Sequence, residues 1–461
     1  MLAVLISTYE LGHQPFGLSS PAAWLSAAGA EVKCMDLAVD KLDEGTVSAA
    51  DVVAFYLPMH TATRLATRVI ERVRTLNPRA RIAAYGLYAP MNADLLRALG
   101  VQDVIGGEFE DELARLLKPT DKSANSHRER VSLSKLHFMV PDRSTLPPLD
   151  KYAFLTMPGG DRKTVGYTEA SRGCKHRCRH CPVVPVYDGR FRIVQRDIVL
   201  EDIRQQVHAG AQHITFGDPD FFNGIGHAVD IVEALHEEFS GVTYDVTIKI
   251  EHLLKFVDRL PLLRDTGCAF ITTAVESLDD RVLEILNKGH TRADFIEVVH
   301  ASREVDLPIV PTFVTFTPWL TLESYRDLLW TLAELDLIEQ VPSVQLAIRL
   351  LIPAGSLLLD VPEVQSIVGP FDEAALSYYW AHPDPRVDSL QRDVESQVQK
   401  MSARGADRRE IFEEIWRLVH QYMERPVVPL PPPQTVWKAA PYLSEPWYCC
   451  AEPTRKQLEA F

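Results

Sequence analysis

The 461 residues predict an α/β chain in three parts: a parallel-sheet domain, a partial barrel of strand–helix units, and a helical region ending in an extended tail. Three observations carry this. Short apolar runs alternate with helical stretches up to about residue 118, and the alternation resumes from 151 to 355. Beyond 356, through to 461, helical periodicity and a proline-rich stretch replace it. Residues 119–150, polar and then rich in Ser, Asp and Pro as far as Leu146-Pro-Pro-Leu149, read as a linker.

The first domain is expected to run strand Leu2–Ser7, helix Ala22–Ala28, and strands Glu31–Asp36 and Asp51–Leu57. An amphipathic helix Thr63–Leu76, stopped by Asn77-Pro78, leads to strand Arg81–Tyr85, helix Ala93–Leu99 and strand Asp103–Gly106. This order is flavodoxin-like. The second domain is expected to use strands Val165–Ser171, His213–Gly217, Thr243–Ile248, Phe270–Ala274, Ile309–Thr315 and Ser343–Leu350. The helices fall at Leu200–His208, Ala228–Glu238, His252–Thr266, Asp280–Asn287, Arg292–Val305 and Leu322–Glu334. Six units are too few for a closed eight-fold barrel. They predict a partial (β/α)6 barrel with its functional groups at the C-terminal strand ends. Helices Ser389–Ala403 and Arg408–Glu424 then precede Pro426-Val-Val-Pro-Leu-Pro-Pro-Pro433 and Trp447-Tyr-Cys-Cys-Ala-Glu-Pro453.

The formal net charge of −15 argues against a general nucleic-acid binder. No stretch of eighteen apolar residues predicts a membrane span. The apolar Met1–Ser7 reads as a strand, not a signal peptide. Seven cysteines, an odd number with three clustered, argue for a reducing cytoplasm over a disulfide framework.

Those three, Cys174, Cys178 and Cys181, lie in Ser171-Arg-Gly-Cys-Lys-His-Arg-Cys-Arg-His-Cys-Pro182 with C-x3-C-x2-C spacing. Three thiolates on one loop cap three irons of a cubane [4Fe–4S] cluster and leave the fourth iron open for chemistry. A zinc knuckle completed by His176 or His180 is the competing assignment, but zinc ribbons use a second ligand pair that is missing here. Arg172, Lys175, Arg177 and Arg179 are expected to balance an anionic cluster.

The motif and the strand pattern after it resemble the radical S-adenosylmethionine superfamily. The resemblance implies S-adenosylmethionine bound through its amino and carboxylate groups to the open iron, reductive carbon–sulfur cleavage, and an external flavodoxin- or ferredoxin-type electron donor. It places His180 at the adenine. In Phe216-Gly-Asp-Pro-Asp-Phe-Phe222 it favours Asp218 over Asp220 for the amino group, and it sets Lys249 towards the methionyl carboxylate. Ala274-Val-Glu-Ser277 is similar to the family's Gly-x-Glu-Ser motif, which puts Glu276, with Ser277 beside it, at the ribose hydroxyls. Leu286-Asn-Lys-Gly-His-Thr291 is similar to the family's usual helix ending.

The N-terminal segment resembles the cobalamin-binding domain placed before many such barrels, through Gly17-Leu-Ser-Ser-Pro21, Ala28-Gly-Ala-Glu-Val-Lys33 with Asp36, Asp51-Val-Val-Ala54 and Gly106-Gly-Glu-Phe-Glu-Asp-Glu112. It departs in two places. There is no Asp-x-His-x-x-Gly sequence, and Tyr85-Gly-Leu-Tyr-Ala89 replaces the usual Gly-Gly, setting a bulky ring where the nucleotide tail of cobalamin would enter. Cobalamin binding is left open by the sequence.

The adjacent Cys449 and Cys450 offer two soft thiols suited to a thiophilic element such as trivalent arsenic. Cys-Cys-Ala-Glu-Pro is similar to the tail of a radical enzyme group that carries selenocysteine at the second position, and is related to arsinothricin-type biosynthesis. That resemblance implies a catalytic role for both cysteines and transfer of the 3-amino-3-carboxypropyl group to arsenite. The alternatives are a cobalamin-dependent radical methyltransferase acting on a small organic molecule, and a non-enzymatic metal- or arsenic-binding regulator. No nucleic-acid or membrane partner is expected.

Overall fold

The computed structural model describes residues 1–118, 128–432, 437 and 439–445. The N-terminal domain alternates β1 (Leu2–Ser7), α1 (Phe16–Ala27), β2 (Glu31–Asp36), α2 (Glu44–Ala49), β3 (Val52–Tyr56), α3 (His60–Leu76), β4 (Arg81–Tyr85), α4 (Ala93–Ala98), β5 (Asp103–Gly107), α5 (Glu110–Arg115) and β6 (Arg128–Ser132). All six strands are parallel, in the order β2-β1-β3-β4-β5-β6. The flavodoxin-like order is therefore present, with one strand added. β6 lies in the segment expected to be linker. Its sequence, Arg-Glu-Arg-Val-Ser, lacks an apolar face because it is a charged edge strand, the usual protection of an exposed edge.

Helix α1 begins at Phe16, not Ala22, and runs through Pro21. Proline has no N–H to donate to Gly17 four residues back. The Tyr85 hydroxyl donates to that Gly17 carbonyl instead, at 2.8 Å. A side chain from β4 thus repairs the helix that the proline interrupts.

The second domain adds β7 (Phe154–Thr156), β8 (Arg162–Thr168), β9 (Ser171–Gly173), β10 (Phe191–Ile193), β11 (His213–Phe216), β12 (Thr243–Thr247), β13 (Cys268–Glu276) and β14 (Ile309–Phe313). A hairpin of β15 (Val368–Asp372) and β16 (Ser377–Trp380) and the short β17 (Tyr442–Leu443) complete the strands. The barrel sheet runs β14-β13-β12-β11-β8-β7-β17. Strands β8 and β11 to β14 are parallel and make five of the six expected barrel strands, while β7 and β17 extend the edge antiparallel. The expected sixth strand, Ser343–Leu350, is a 3-10 turn over Ser343–Leu346 and a single parallel bridge, Phe316 to Arg349. The Gln345 side chain accepts the Phe313 N–H at 2.8 Å, occupying the donor a sixth strand would have paired.

The helix expected over His252–Thr266 is two helices, Ile250–Lys255 and Leu260–Asp265, with Pro261 in the first turn of the second. Helices Pro385–Ala403 and Arg408–Tyr422 bury Val387, Leu390, Val394, Ile411, Ile415 and Val419 in the same core as the barrel. β17 runs antiparallel to β7, which runs antiparallel to β8. At Glu445 the chain is therefore heading towards the C-terminal ends of the barrel strands, and there the Tyr9 hydroxyl donates to the Glu445 carboxylate at 2.8 Å. Among the described residues, no helix is long and apolar enough to cross a membrane.

Candidate active site

The cysteine loop leaves β9 at the C-terminal side of β8. Gly173, immediately before Cys174, has φ +76°, and a Cβ there would lie 2.4 Å from the Arg190 carbonyl, so the chain turns into the loop at a position that only glycine fits. The far side of the loop is pinned to the C-terminal end of the helix Asp280–Ile285, which follows β13. The Arg179 N–H donates to the Leu286 carbonyl at 2.9 Å, and the Asn287 side-chain amide donates to the Arg177 carbonyl at 3.0 Å.

Cys174 and Cys178 are buried and Cys181 is partly buried. Burial pushes the Cys174 thiol up to about 11 and the Cys181 thiol up to about 12. Metal binding at these sulfurs must therefore displace protons. A single ion draws its ligand atoms together. The described residues contain one set of three ligating atoms within 4.8 Å of one another, His176, Asp220 and His252, and no cysteine belongs to it. Sulfurs held further apart suit the corners of a cubane better than one zinc ion. Neither other described cysteine is placed to close the cluster: Cys34 is in β2, and Cys268 is at the far, N-terminal end of β13.

The basic residues of the loop do not surround the sulfurs as expected. Arg172 turns into the N-terminal domain, Arg177 pairs with Asp188 at 2.7 Å, Arg179 caps backbone carbonyls, and Lys175 lies 5.0 Å from the Phe191 ring. The cations whose charge acts on the thiols are Lys249, on Cys174, and Lys288, on Cys181. Lys288 was missed because its signal, the Asn-Lys-Gly run, reads first as a helix stop.

Glu276 ends β13 at φ +70°, beside an irregularity in the pairing with β14. Its Oε1 sits 3.2 Å from both His180 Nε2 and Lys288 Nζ. Burial alone would raise its carboxyl, but Lys288 and His180 outweigh burial and hold it at about 2. The structure thus brings His180, within the cysteine loop, together with Glu276. The Ser277 hydroxyl accepts the Asp279 N–H at 3.1 Å and shapes the following turn.

Asp218 is committed elsewhere. It accepts the Ala170 N–H at 2.9 Å and the Ser171 hydroxyl at 2.5 Å, tying β11 to the strand that enters the cysteine loop. Asp220 is buried between two imidazoles: its Oδ2 lies 2.7 Å from His252 Nδ1 and 3.4 Å from His176 Nε2, and although burial alone would raise its carboxyl, these two histidines hold it below the usual carboxylate range. Lys249 donates to Glu251 at 2.7 Å and to the Lys288 carbonyl at 3.0 Å. His290, not singled out by the sequence, is buried with both ring nitrogens unpaired, and burial first, then Lys288 and Lys249, lowers it to about 4. Cys449 and Cys450 lie outside the described residues.

Comparison with known proteins agrees with this geometry. The radical SAM superfamily profile matches residues 168–332, and the B12 binding domain profile matches residues 2–117. The chain therefore carries a B12-binding-type domain followed by a radical S-adenosylmethionine domain, a class whose cofactors are a [4Fe–4S] cluster and S-adenosylmethionine. A hopanoid C-3 methylase of Methylococcus capsulatus is 25% identical over 325 residues, spanning 66% of this chain and 62% of that protein. An uncharacterized methyltransferase of Pyrococcus horikoshii is 24% identical over 233 residues, spanning 50% and 49%. The chain thus spans about half to three-fifths of the length of these relatives. The cobalamin-dependent S-adenosylmethionine radical enzyme OxsB, solved with aqua-cobalamin and S-adenosylmethionine, superposes with TM-score 0.65 at 13% identity, covering 92% of this chain and 70% of that one. The radical S-adenosylmethionine methyltransferase TsrM of Kitasatospora setae does so with TM-score 0.55 at 16% identity, covering 71% and 70%.

The mouth fits a cluster and S-adenosylmethionine. Beside the three thiols, His180 Nδ1 and both nitrogens of His290 are buried polar atoms without a partner, and a polar ligand would satisfy them. Cobalamin fits less well. Ligands of such sheets enter at the C-terminal strand ends where the order reverses, here between β1 and β3. Tyr56, Tyr85 and Phe109 fill that side of the sheet, with ring centroids 5.0 to 6.0 Å apart.

Proposed function

We propose that this chain is a radical S-adenosylmethionine transferase that cleaves its cofactor reductively and passes a carbon group from it to a small-molecule acceptor. The observation that carries this is the juxtaposition of the three-cysteine loop with the His180–Glu276–Lys288 cluster at the C-terminal ends of the barrel strands. When bound, the cluster supplies the electron that breaks a carbon–sulfur bond of the sulfonium. The protein's part is to bind and orient. Asp220 takes the ammonium of the methionyl group, Lys249 and Lys288 supply positive charge beside the sulfurs, and Glu276 accepts the ribose hydroxyls.

The relatives favour a methyl group as the cargo, since three of the four described above are named as a methylase or a methyltransferase. A second assignment, 3-amino-3-carboxypropyl transfer to trivalent arsenic, is favoured by one observation: the described tail is heading towards the strand ends at Glu445, five residues before Cys450. The nucleoside released by the reconstituted, reduced chain separates the two. Methyl-type chemistry is expected to leave S-adenosylhomocysteine from the molecule that gives up its methyl group and 5′-deoxyadenosine from the molecule that is cleaved reductively, with or without arsenite. Appearance of 5′-methylthioadenosine only when arsenite is added, and its loss in Cys449→Ser/Cys450→Ser, would establish the second assignment.

Glu276→Gln is expected to weaken S-adenosylmethionine binding by about tenfold while leaving iron content unchanged, because a charge-assisted hydrogen bond is worth about 1.5–3 kcal/mol. Equilibrium binding beside an iron assay checks this, and unchanged affinity would remove Glu276 from the ribose.

A further inference from the structure

We infer that the B12-binding-type domain of this chain does not hold cobalamin, and that its crevice is instead built to grip the strand entering the cysteine loop. Two spaces are needed for cobalamin: a slot beside the sheet for the nucleotide tail and a flat gap between the domains for the macrocycle. Both are occupied by the chain's own side chains.

The slot would lie between the sheet and α1. Tyr85, fully buried at the end of β4, crosses it to donate to the Gly17 carbonyl. Tyr56, at the end of β3, lies flat against α1: a Cβ built on Gly17 would fall 2.1 Å from its ring. Phe109 closes the third side, 5.0 Å from Tyr85 and 6.0 Å from Tyr56. This packing is fixed by the chain, since the Tyr85 bond depends on the carbonyl that Pro21 leaves unpaired.

The gap is closed from the barrel side. Arg172, two residues before Cys174, reaches across to the N-terminal domain. It donates to both oxygens of Glu110 at 2.7 and 3.0 Å and stands 3.5 Å from Glu108, while its Nε donates to Glu169 at 2.6 Å. Its guanidinium also lies 4.6 Å from the Phe109 ring, so the aromatic plug and the ionic grip share a residue. The Tyr187 hydroxyl, from the cysteine-loop side, donates to Glu108 at 3.0 Å. His13, in the loop after β1, stacks on Tyr167 of β8 at 4.8 Å and is buried.

The test uses the full chain. It is produced in cells supplied with hydroxocobalamin and purified anaerobically, and corrinoid is read from its visible absorbance beside iron and sulfide. Protein from corrinoid-free cells is dialysed against hydroxocobalamin in parallel. The inference expects iron and sulfide in both preparations, no retained corrinoid in either, and equal S-adenosylmethionine cleavage. One retained corrinoid per chain, or cleavage that depends on it, would overturn the inference. Corrinoid content decides it whatever the cleavage rate. Absence of cleavage from both preparations would instead count against the proposed function.

Discussion

Cys174→Ala is expected to lose the cluster and all S-adenosylmethionine cleavage together, and Cys178→Ala and Cys181→Ala to do the same. The loop is short and rigid: Gly173 fixes its entry, Leu286 and Asn287 fix its far side, and no other described cysteine is near enough to substitute. A cubane with two protein ligands where it needs three is lost to solvent exchange. The fold should survive, because the barrel core is formed by apolar residues such as Ile214, Val246, Ile271 and Phe313 that do not depend on the sulfurs. Iron and sulfide assays beside circular dichroism read the two effects apart. Cleavage persisting in the triple variant would end the radical assignment.

Arg172→Ala is the second large effect and is expected to cost about 3–5 kcal/mol of stability, the usual penalty for removing one member of a buried ionic group. The side chain is 7% exposed and satisfies Glu110, Glu169 and Glu108 together. Lysine should rescue it poorly, since one ammonium cannot reproduce the fork onto Glu110. The loss is expected to depend on pH. Burial already holds Glu108 up at about 7 and raises Glu169. A carboxyl raised in the folded state binds its proton more tightly there than when unfolded, so its contribution to stability is full at low pH and is lost as pH rises through the folded value. Without Arg172 the carboxyls rise further. The variant's thermal midpoint should therefore fall furthest below wild type at about pH 8 and recover towards about pH 6. An unchanged midpoint at both would mean that the grip contributes nothing.

Much of this was legible in the sequence. Apolar runs between turn residues located five of the six barrel strands and the strand order of the first domain, because parallel strands buried on both faces leave a strong local signal. What failed locally was decided by tertiary partners. Ser343–Leu350 has the apolar pattern of a strand, but Gln345 takes the donor it would have paired. Arg128–Ser132 has no apolar pattern and is a strand because β5 offers an edge. Helix α1 continues through Pro21 because Tyr85 supplies the missing partner. At the site, the cysteine spacing and Glu276 were legible as motifs. The work of Arg172 and Lys288 was not, since a basic residue near cysteines looks the same whether it faces the sulfurs or another domain. Asp218 and Asp220 were adjacent candidates that only the paths of their side chains separate.

The most direct test of the central claim is electron paramagnetic resonance of the reconstituted, reduced chain before and after S-adenosylmethionine is added. An open iron held by Cys174, Cys178 and Cys181 predicts a reduced [4Fe–4S] signal whose g-values move when the cofactor ligates it, with 5′-deoxyadenosine or 5′-methylthioadenosine accumulating in the same sample. A signal that does not respond to S-adenosylmethionine, or a protein that binds zinc in place of iron under the same conditions, would contradict it.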